Sequence, residues 1–593
     1  MHGPRGNNER AKDFSGSIIK TFRFNKKYIP YIIIALILSF LSSLLAIIGP
    51  DKLKEITNVI TLGMRTSIDL EKVKEIGLLL VLFYSLSLIF NYIQGFIMAV
   101  VTNKFSKDMR SAIAIKINKL PLAYFDKTTV GDVLSRVTND VDTISFTLNQ
   151  SLGMLVSALT MFLGSLFMMF KTNYILALTA ILSTVIGFGL MLIILKRSQK
   201  YFNAVQNELG AINGHIEEVF SGHTIVKVYN ASKDMSEKFD SINEKLCQDG
   251  LKSQFYSGLM HPIMAFTGNF GYVAVCIIGA ILTMNGTITF GVIVAFMIYI
   301  RLFTHPLTQF AQGLTQLQST AAASERVFEF LEEQEMNEEK PEDFIKLNKE
   351  EVKGNIEFKN VKFGYNKDKV IIKDFSAKVK SGQKIAIVGP TGAGKTTIVN
   401  LLMKFYDITS GDILIEDTSI KKITRNNVHD LFTMVLQDTW IFNGTIKENV
   451  RYNNKSIKDE DIMNACKIVG LDHFIKTLPK GYDTVLSDNE SLSAGQKQLL
   501  TIARSICNDT PFLILDEATS SVDTRTEELV SKAMDKLTKG KTSFIIAHRL
   551  STIRNADLIL VMKDGNIVEQ GKHKDLIDKN GFYAELYNSQ FEL

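Results

Sequence analysis

The chain has 593 residues, of which 46% are hydrophobic and 22% charged, and a formal net charge of +5. That length is too great for one domain, and a slight positive balance without a basic cluster interleaved with aromatics points away from nucleic-acid binding. Cys247, Cys276, Cys466 and Cys507 have neither C-x-x-C spacing nor nearby histidines, which argues against a disulfide framework or thiolate metal site and leaves them as reduced packing residues.

Residues 1–6 are polar and do not read as a cleavable signal, because the first apolar run is long enough to span a membrane. Residues 14–28 carry Lys20, Arg23, Lys26 and Lys27 with mild amphipathy. They read as a short helix on the cytoplasmic surface, or else as a disordered basic leader. Six apolar stretches follow, at residues 31–48, 76–101, 152–170, 174–195, 255–284 and 288–299. Each approaches the ~20 residues a helix needs to cross, or merges with further helical sequence. The first ends near Gly49-Pro50, and a polar external segment with Asp51, Lys52, Lys54 and Glu55 is expected after it.

An even number of spans puts both ends on one side. Lys26, Lys27, Lys104, Lys107, Arg110, Lys196 and Arg197 all fall there, so that side is the cytoplasm. Two long charged stretches of helical character lie between spans two and three and between spans four and five. Each contains a break suited to a transverse helix, at residues 125–132 and around residues 213–222. No Asp or Glu sits in the middle of spans two to six, which points away from proton or sodium coupling. Arg301 and His305 are one helical turn apart on span six. They either line the inner part of a substrate path or snorkel to the cytoplasmic interface. Residues 320–350 are rich in glutamate, including Glu325, Glu332, Glu335 and Glu339, and read as a helix end and a solvated linker without chemistry.

From Gly354 the pattern becomes that of a soluble α/β protein. Residues 355–358 and 361–363 read as strands, and Tyr365 follows in a turn, placed either to stack on adenine or simply to pack on the surface. Lys384 to Val388 reads as a buried strand. It runs into Gly389, Pro390, Thr391, Gly392, Ala393, Gly394, Lys395, Thr396 and Thr397, a match to the P-loop pattern G-x-x-x-x-G-K-[ST]. The glycines let backbone N–H groups close around phosphate oxygens, and a helix N-terminus adds its positive end. Lys395 can reach the β- and γ-phosphates, and the Thr396 hydroxyl can ligate Mg²⁺.

Downstream, residues 434–436 read as a strand ending at Gln437, whose amide can reach the Mg²⁺ or its water. Leu492-Ser493-Ala494-Gly495-Gln496 precedes a helix expected to begin near Lys497. Ser493 and the Gly495 backbone there make a second anion site. Two phosphate sites so far apart in sequence suggest that two chains share each nucleotide. Residues 511–515 form an apolar strand ending at Asp516, a Walker B pattern in which Asp516 holds Mg²⁺. Glu517 is placed to act as general base on a water. Another strand, residues 543–547, ends at His548, which can sense the γ-phosphate.

In this order the P-loop, Gln437, Leu492 to Gln496, Asp516-Glu517, Asp523 and His548 resemble the motifs of ATP-binding cassette (ABC) ATPases, and the six spans ahead of them resemble an ABC exporter half-transporter. Nearly the whole chain is covered. Phe125-Asp126-Lys127, Gly131-Asp132, Ser135-Arg136 and Asn139-Asp140 look like the family's first coupling helix and its continuation. The resemblance implies a membrane all-α domain of six transmembrane helices with long cytoplasmic extensions, fused to an α/β P-loop ABC ATPase domain. The expected division is residues 1–325, a linker at 326–350, and the ATPase at 351–593. The implied cofactors are ATP and Mg²⁺. The implied assembly is a head-to-tail dimer in which one chain's P-loop and the other's signature, Ser493, Gly495 and Gln496 here, share the nucleotide, with Asp523 in the D-loop. Closure then turns the membrane domains outward, with ATP acting as a ligand of differential affinity for two states.

Two departures from the family pattern bear on the partner. Ala494 replaces the first glycine of Leu-Ser-Gly-Gly-Gln, and residues 487–491 lack the common Gly-Glu-Arg-Gly. With Glu517 retained, this looks like the catalytic-glutamate subunit of bacterial heterodimeric exporters. A heterodimer with a second ABC half-transporter is favoured, and a homodimer stays open. The expected function is ATP-driven export of hydrophobic or amphipathic small molecules across the cytoplasmic membrane, in contact with lipid. Lipid flipping, peptide export and an ATP-gated channel or regulator are the alternatives.

Overall fold

Long uninterrupted apolar sequence gives long helices, because in lipid a backbone must satisfy its own N–H and C=O groups. The computed structural model describes residues 11–24, 26–64, 67–366, 369–436, 439–486, 492–516, 524–546 and 553–591. The chain divides into two units, one of residues 1–118 and 130–333, the other of residues 119–129 and 334–593.

In the first unit a short amphipathic helix, α1 (Phe14–Phe24), precedes α2 (Ile29–Gly63) and α3 (Leu70–Lys119). The short helix α4 (Leu122–Phe125) lies in residues 119–129 of the second unit; back in the first, α5 (Val130–Ser135) leads through a π-helical turn at Arg136–Asp140 into α6 (Val141–Thr172). Next come α7 (Tyr174–Ser221), the short α8 (His223–Val228), α9 (Ser232–Met284) and α10 (Phe290–Glu332). Six of these segments are long and apolar enough to cross a membrane. Helices α2, α6 and α10 pack on one another, and α7 lies along α9. Small hydroxyl residues sit at the close approaches. Ser42 and Ser87 are 2.8 Å apart, as are Ser43 and Ser157, and Ser39 donates to the Gly153 carbonyl at 3.1 Å. Such residues let helices approach closely while their hydroxyls find partners. Thr21 of α1 donates to Ser324 of α10 at 2.8 Å, which fixes the basic N-terminal helix against the inner end of α10.

Two expectations about this unit need correction. The first span does not end at Pro50. Helix α2 runs through it to Gly63, and the charges beyond it support the helix in i,i+3 pairs, Lys52 with Glu55 at 2.9 Å and Lys54 with Asp51. Asn58 then accepts a hydrogen bond from Gly291 N at 3.1 Å, holding the end of α2 beside the start of α10. The second transverse helix is residues 223–228, not 213–222. Residues 213–221 continue α7, and the break comes at Gly222, whose N–H closes onto Glu218 O at 2.9 Å.

Among the described residues the second unit is built on a ten-stranded sheet. Its strands are β1 (Ile356–Phe363), β2 (Ile372–Val379), β3 (Lys384–Val388), β4 (Ser410–Ile415), β5 (Thr418–Ser419), β6 (Phe432–Val435), β9 (Phe512–Asp516), β10 (Thr542–Ile546), β11 (Leu558–Lys563) and β12 (Asn566–Gly571), with β7 (Gly444–Thr445) and β8 (Val485–Leu486) pairing apart. The two strands expected at 355–358 and 361–363 are one, β1, with irregular register between Phe358 and Val361. The parallel core runs β11-β3-β10-β9-β6. Both of its faces are covered, so β9 alternates between two cores: Phe512 and Ile514 join Ile385, Ile387 and Phe544 on one side, while Leu513 and Leu515 join Leu499, Leu500 and Val530 on the other.

The glutamate-rich linker is not wholly solvated. Glu339 is half-buried against Lys404 at 2.9 Å and Arg425 at 2.8 Å, and Arg425 also holds Asp407. Leu347 and Asn427 exchange two hydrogen bonds, at 2.8 and 3.0 Å, which seat the linker on the helix Arg425–Leu431 that leads into β6.

Candidate functional site

The site lies at the carboxyl ends of parallel strands, where open α/β sheets gather their ligands. Strand β3 is flanked by β11 and β10, and Ile385 to Val388 are at most 2% exposed, so the loop that leaves Val388 starts from a fixed point. A Cβ on Gly389 would strike the Met562 carbonyl, so only glycine lets the loop turn there. Gly394 has φ 99° and occupies the N-cap of α11 (Lys395–Leu402) with no side-chain cap. The first N–H groups of α11 therefore keep no side-chain acceptor and open towards whatever the loop encloses.

Lys395 is 8% exposed, and its ammonium donates to the Gly389 carbonyl at 2.7 Å and the Pro390 carbonyl at 3.1 Å. Burial pushes this ammonium down from its ordinary value, and the charge of Asp516 opposes the push. Asp516 closes β9 and stands in register with Ile546 of β10, which is in register with Ile387 of β3. The carboxylate is thus two strands from the loop. Thr396 is exposed, whereas Thr397 is buried, with its hydroxyl 3.4 Å from that of Tyr365. Ala393 is buried beneath the loop, while Pro390, Thr391 and Gly392 form its exposed rim. No group of three or more His, Cys, Asp or Glu is arranged for a metal among the described residues.

Tyr365 is exposed beside α11, its ring edge-on to Phe363 and Tyr406 at 5.0 Å each. Tyr406 donates to the Asp126 carboxylate, both within the second unit. Burial first, then that hydrogen bond, pushes its phenol up. Sequence reasoning passed over Tyr406. Its signal was an aromatic pair, Phe405-Tyr406, directly after the P-loop helix.

The signature stretch differs in one respect from expectation. Its helix starts at Ala494, three residues earlier than predicted, because Ser493 is a true N-cap. The Ser493 hydroxyl accepts from Gln496 N at 3.3 Å, and the Gln496 side chain accepts from Ser493 N at 2.9 Å, a reciprocal capping box. Gly495 is buried, and Ser493 and Ala494 are exposed. This helix (Ala494–Cys507) packs on the far core through Leu499 and Leu500. Gln437, Glu517, Asp523 and His548 lie outside the described residues. The structure describes the strands that lead to three of them: β6 ends at Val435, β9 at Asp516 and β10 at Ile546.

Residues 32–307 match the family of the ABC transporter transmembrane region, and residues 372–520 match the ABC transporter family. A fatty acid ABC transporter ATP-binding/permease protein of Mycobacterium bovis is 44% identical over 479 residues, covering 81% of this chain and 75% of that protein. An uncharacterised ABC transporter ATP-binding protein of Bacillus subtilis is 38% identical over 584 residues, 98% of this chain and 96% of its own. A probable multidrug resistance ABC transporter ATP-binding/permease protein of the same organism is 34% identical over 511 residues, 85% of this chain and 75% of its own.

Proposed function

The chain belongs to the ABC transporters, with the family's transmembrane region and ATPase fused in one polypeptide, and from this we propose that it exports hydrophobic or amphipathic small molecules by alternating access as half of a dimer. It is a multi-pass membrane protein with a cytoplasmic ATPase domain, and its ATP hydrolysis drives transport across the membrane. The observation that carries the proposal is the fusion of six apolar helices to an uncapped phosphate cradle. The relatives named for fatty acids and for multidrug resistance support a lipophilic cargo.

Bound MgATP supplies the phosphoanhydride bond whose cleavage powers the cycle. In this reading the backbone from Gly389 to Thr397 and the Lys395 ammonium hold phosphate oxygens, and Thr396, Gln437 and Asp516 serve the Mg²⁺. Glu517 takes a proton from the attacking water, His548 contacts the γ-phosphate, and Tyr365 packs on adenine. Ser493, Gly495 and Gln496, with Asp523 nearby in sequence, face the nucleotide of the partner. The partner is a second ABC half-transporter, a different one rather than a copy, because Ala494 alters the signature while Glu517 is kept. Lipid flipping is the nearest neighbouring function, favoured by the fatty-acid relative.

The test is uptake of a lipophilic dye into inside-out vesicles bearing the chain with and without a neighbouring half-transporter. Uptake against a gradient that needs ATP and vanishes in Glu517→Gln is expected. Passive equilibration that ignores Glu517 would mean a channel and end the export reading.

A further inference from the structure

Arg301 stands out among the membrane helices. It lies eleven residues after Phe290 at the start of α10, about 16 Å along the helix from its outer end. The neighbouring Ala295, Phe296, Tyr299, Ile300 and Phe303 are buried against other helices, and Phe303 stacks on Phe162 at 5.0 Å. Arg301 and His305 face the other way and are exposed. Among the described residues the Arg301 guanidinium has neither an ion-pair nor a hydrogen-bond partner. An ionisable side chain without a partner on a membrane-spanning helix is a candidate binding group.

The stripe of α10 that carries Arg301 changes character along its length. Towards the outer end it presents Phe290, Val294 and Met297, exposed or half-buried. Towards the inner end it presents Thr308, Gln312 and Ser319. The cationic turn stands between an apolar half and a polar half. That order matches an amphiphile with its tail outward and an anionic head at the junction. Arg presents a planar fork suited to a carboxylate, and His305, four residues on, lies ~6 Å away on the same face.

We propose that α10 binds the head of a single-chain anionic amphiphile, a fatty-acid-like carboxylate, through Arg301 with His305 as second donor, the acyl chain lying along Phe290, Val294 and Met297. This rests on the transport reading and names its cargo class.

The test uses the full-length chain in phosphatidylcholine nanodiscs and equilibrium binding of radiolabelled palmitate. Wild type binds, and unlabelled hexadecanol of the same chain length does not compete. Arg301→Gln weakens binding tenfold or more, Arg301→Lys less, and His305→Ala about threefold. Met297→Glu, one turn before Arg301, supplies an internal carboxylate and also removes binding, so the idea does not hang on one variant folding. Unchanged affinity in Arg301→Gln and Met297→Glu, or equal competition by hexadecanol, overturns the site. Binding that persists in phosphatidylglycerol nanodiscs supports a cargo site. Loss there means that bilayer phosphate fills it, and overturns the cargo assignment. Palmitate failing to bind while Glu517-dependent dye uptake persists removes this site and leaves export standing. Loss of the uptake itself strikes the export reading and leaves the binding result readable.

Discussion

Two helix N-termini in the ATPase unit are proposed here to meet phosphate, and they are prepared in opposite ways. At Lys395 the helix opens from Gly394 in a left-handed conformation with no side-chain cap, and the nearest cation is turned back on the loop's own carbonyls. At Ala494 the helix is closed by a complete capping box from Ser493 and Gln496. The first end has its N–H groups and a buried ammonium waiting for oxygens. The second is already satisfied by its own chain and keeps an exposed hydroxyl at its tip. The contrast suits a division of labour in which the first end binds the nucleotide of its own chain, and the second engages another chain's nucleotide only when two ATPase units meet.

The largest way to break that contrast is to remove the cation from the open end. Lys395→Ala is expected to lower ATP turnover of the purified protein in nanodiscs at least ~100-fold, the usual loss when one preorganised electrostatic donor is deleted. Turnover within tenfold of wild type would show that the backbone cradle alone carries the phosphates. Next comes the conformation of the cap. Gly394→Ala puts a Cβ 2.7 Å from Ile372 Cδ1 at φ 99°, a left-handed backbone that costs an L-residue about 1–2 kcal/mol. Fluorescent-nucleotide affinity should fall roughly tenfold. An unchanged affinity would mean that the loop opens by another route.

How much of this contrast was legible in the sequence depends on how local each cause is. The strand, glycine turn and following helix of the open end were readable, because the glycines, Lys395 and the strand before them lie within a dozen residues. The closed end was placed three residues late, since Ser493 was weighed as a phosphate ligand and its reach to Gln496 was not counted. Pro50 was read as a stop because a proline removes one helical hydrogen bond, yet the charge pairs that carry α2 past it lay in plain view at Asp51 to Glu55. The second transverse helix was misplaced by a polar composition at residues 213–222 that in the structure belongs to α7, with Gly222 as the actual break. Glu339 could not be told from its acidic neighbours, because its partners Lys404 and Arg425 are 65 and 86 residues away. Tyr406 was passed over for the same reason: Asp126 is 280 residues distant.

A smaller effect separates the two uses of Ser493. Ser493→Ala removes the cap and should cost about 1 kcal/mol, seen as a drop of a few degrees in thermal unfolding of the detergent-solubilised protein. Ser493→Asp restores a good cap but sets a negative charge where a partner's phosphate would sit. Stability should return to wild type while ATP turnover of the assembled dimer falls about tenfold. Equal turnover in Ser493→Asp and wild type would make Ser493 a cap and nothing more.

The smallest expected change is the most informative about the partner. Ala494 sits at the first position of its helix and is exposed, so Ala494→Gly disturbs no packing and costs less than the ~1 kcal/mol of a glycine in a helix interior. If the chain pairs with itself, both composite sites already turn over with Ala494 in place, and restoring the glycine should change the rate by less than twofold. If it pairs with a different half-transporter, Ala494 faces the weaker of two unequal sites. That site also depends on the partner's own catalytic residues, so one methyl removed here cannot make it fast, and turnover of the pair again moves little. The two assemblies part when the glycine is combined with Glu517→Gln. In a homodimer every site carries the substitution and turnover stays abolished. In a heterodimer the stronger site is lost, and any residual turnover comes from the site Ala494 faces, so Ala494→Gly should raise that residual rate two- to threefold. Measured with the chain alone and with its neighbour, that small rise or its absence decides whether the closed helix end serves a copy of this chain or another protein.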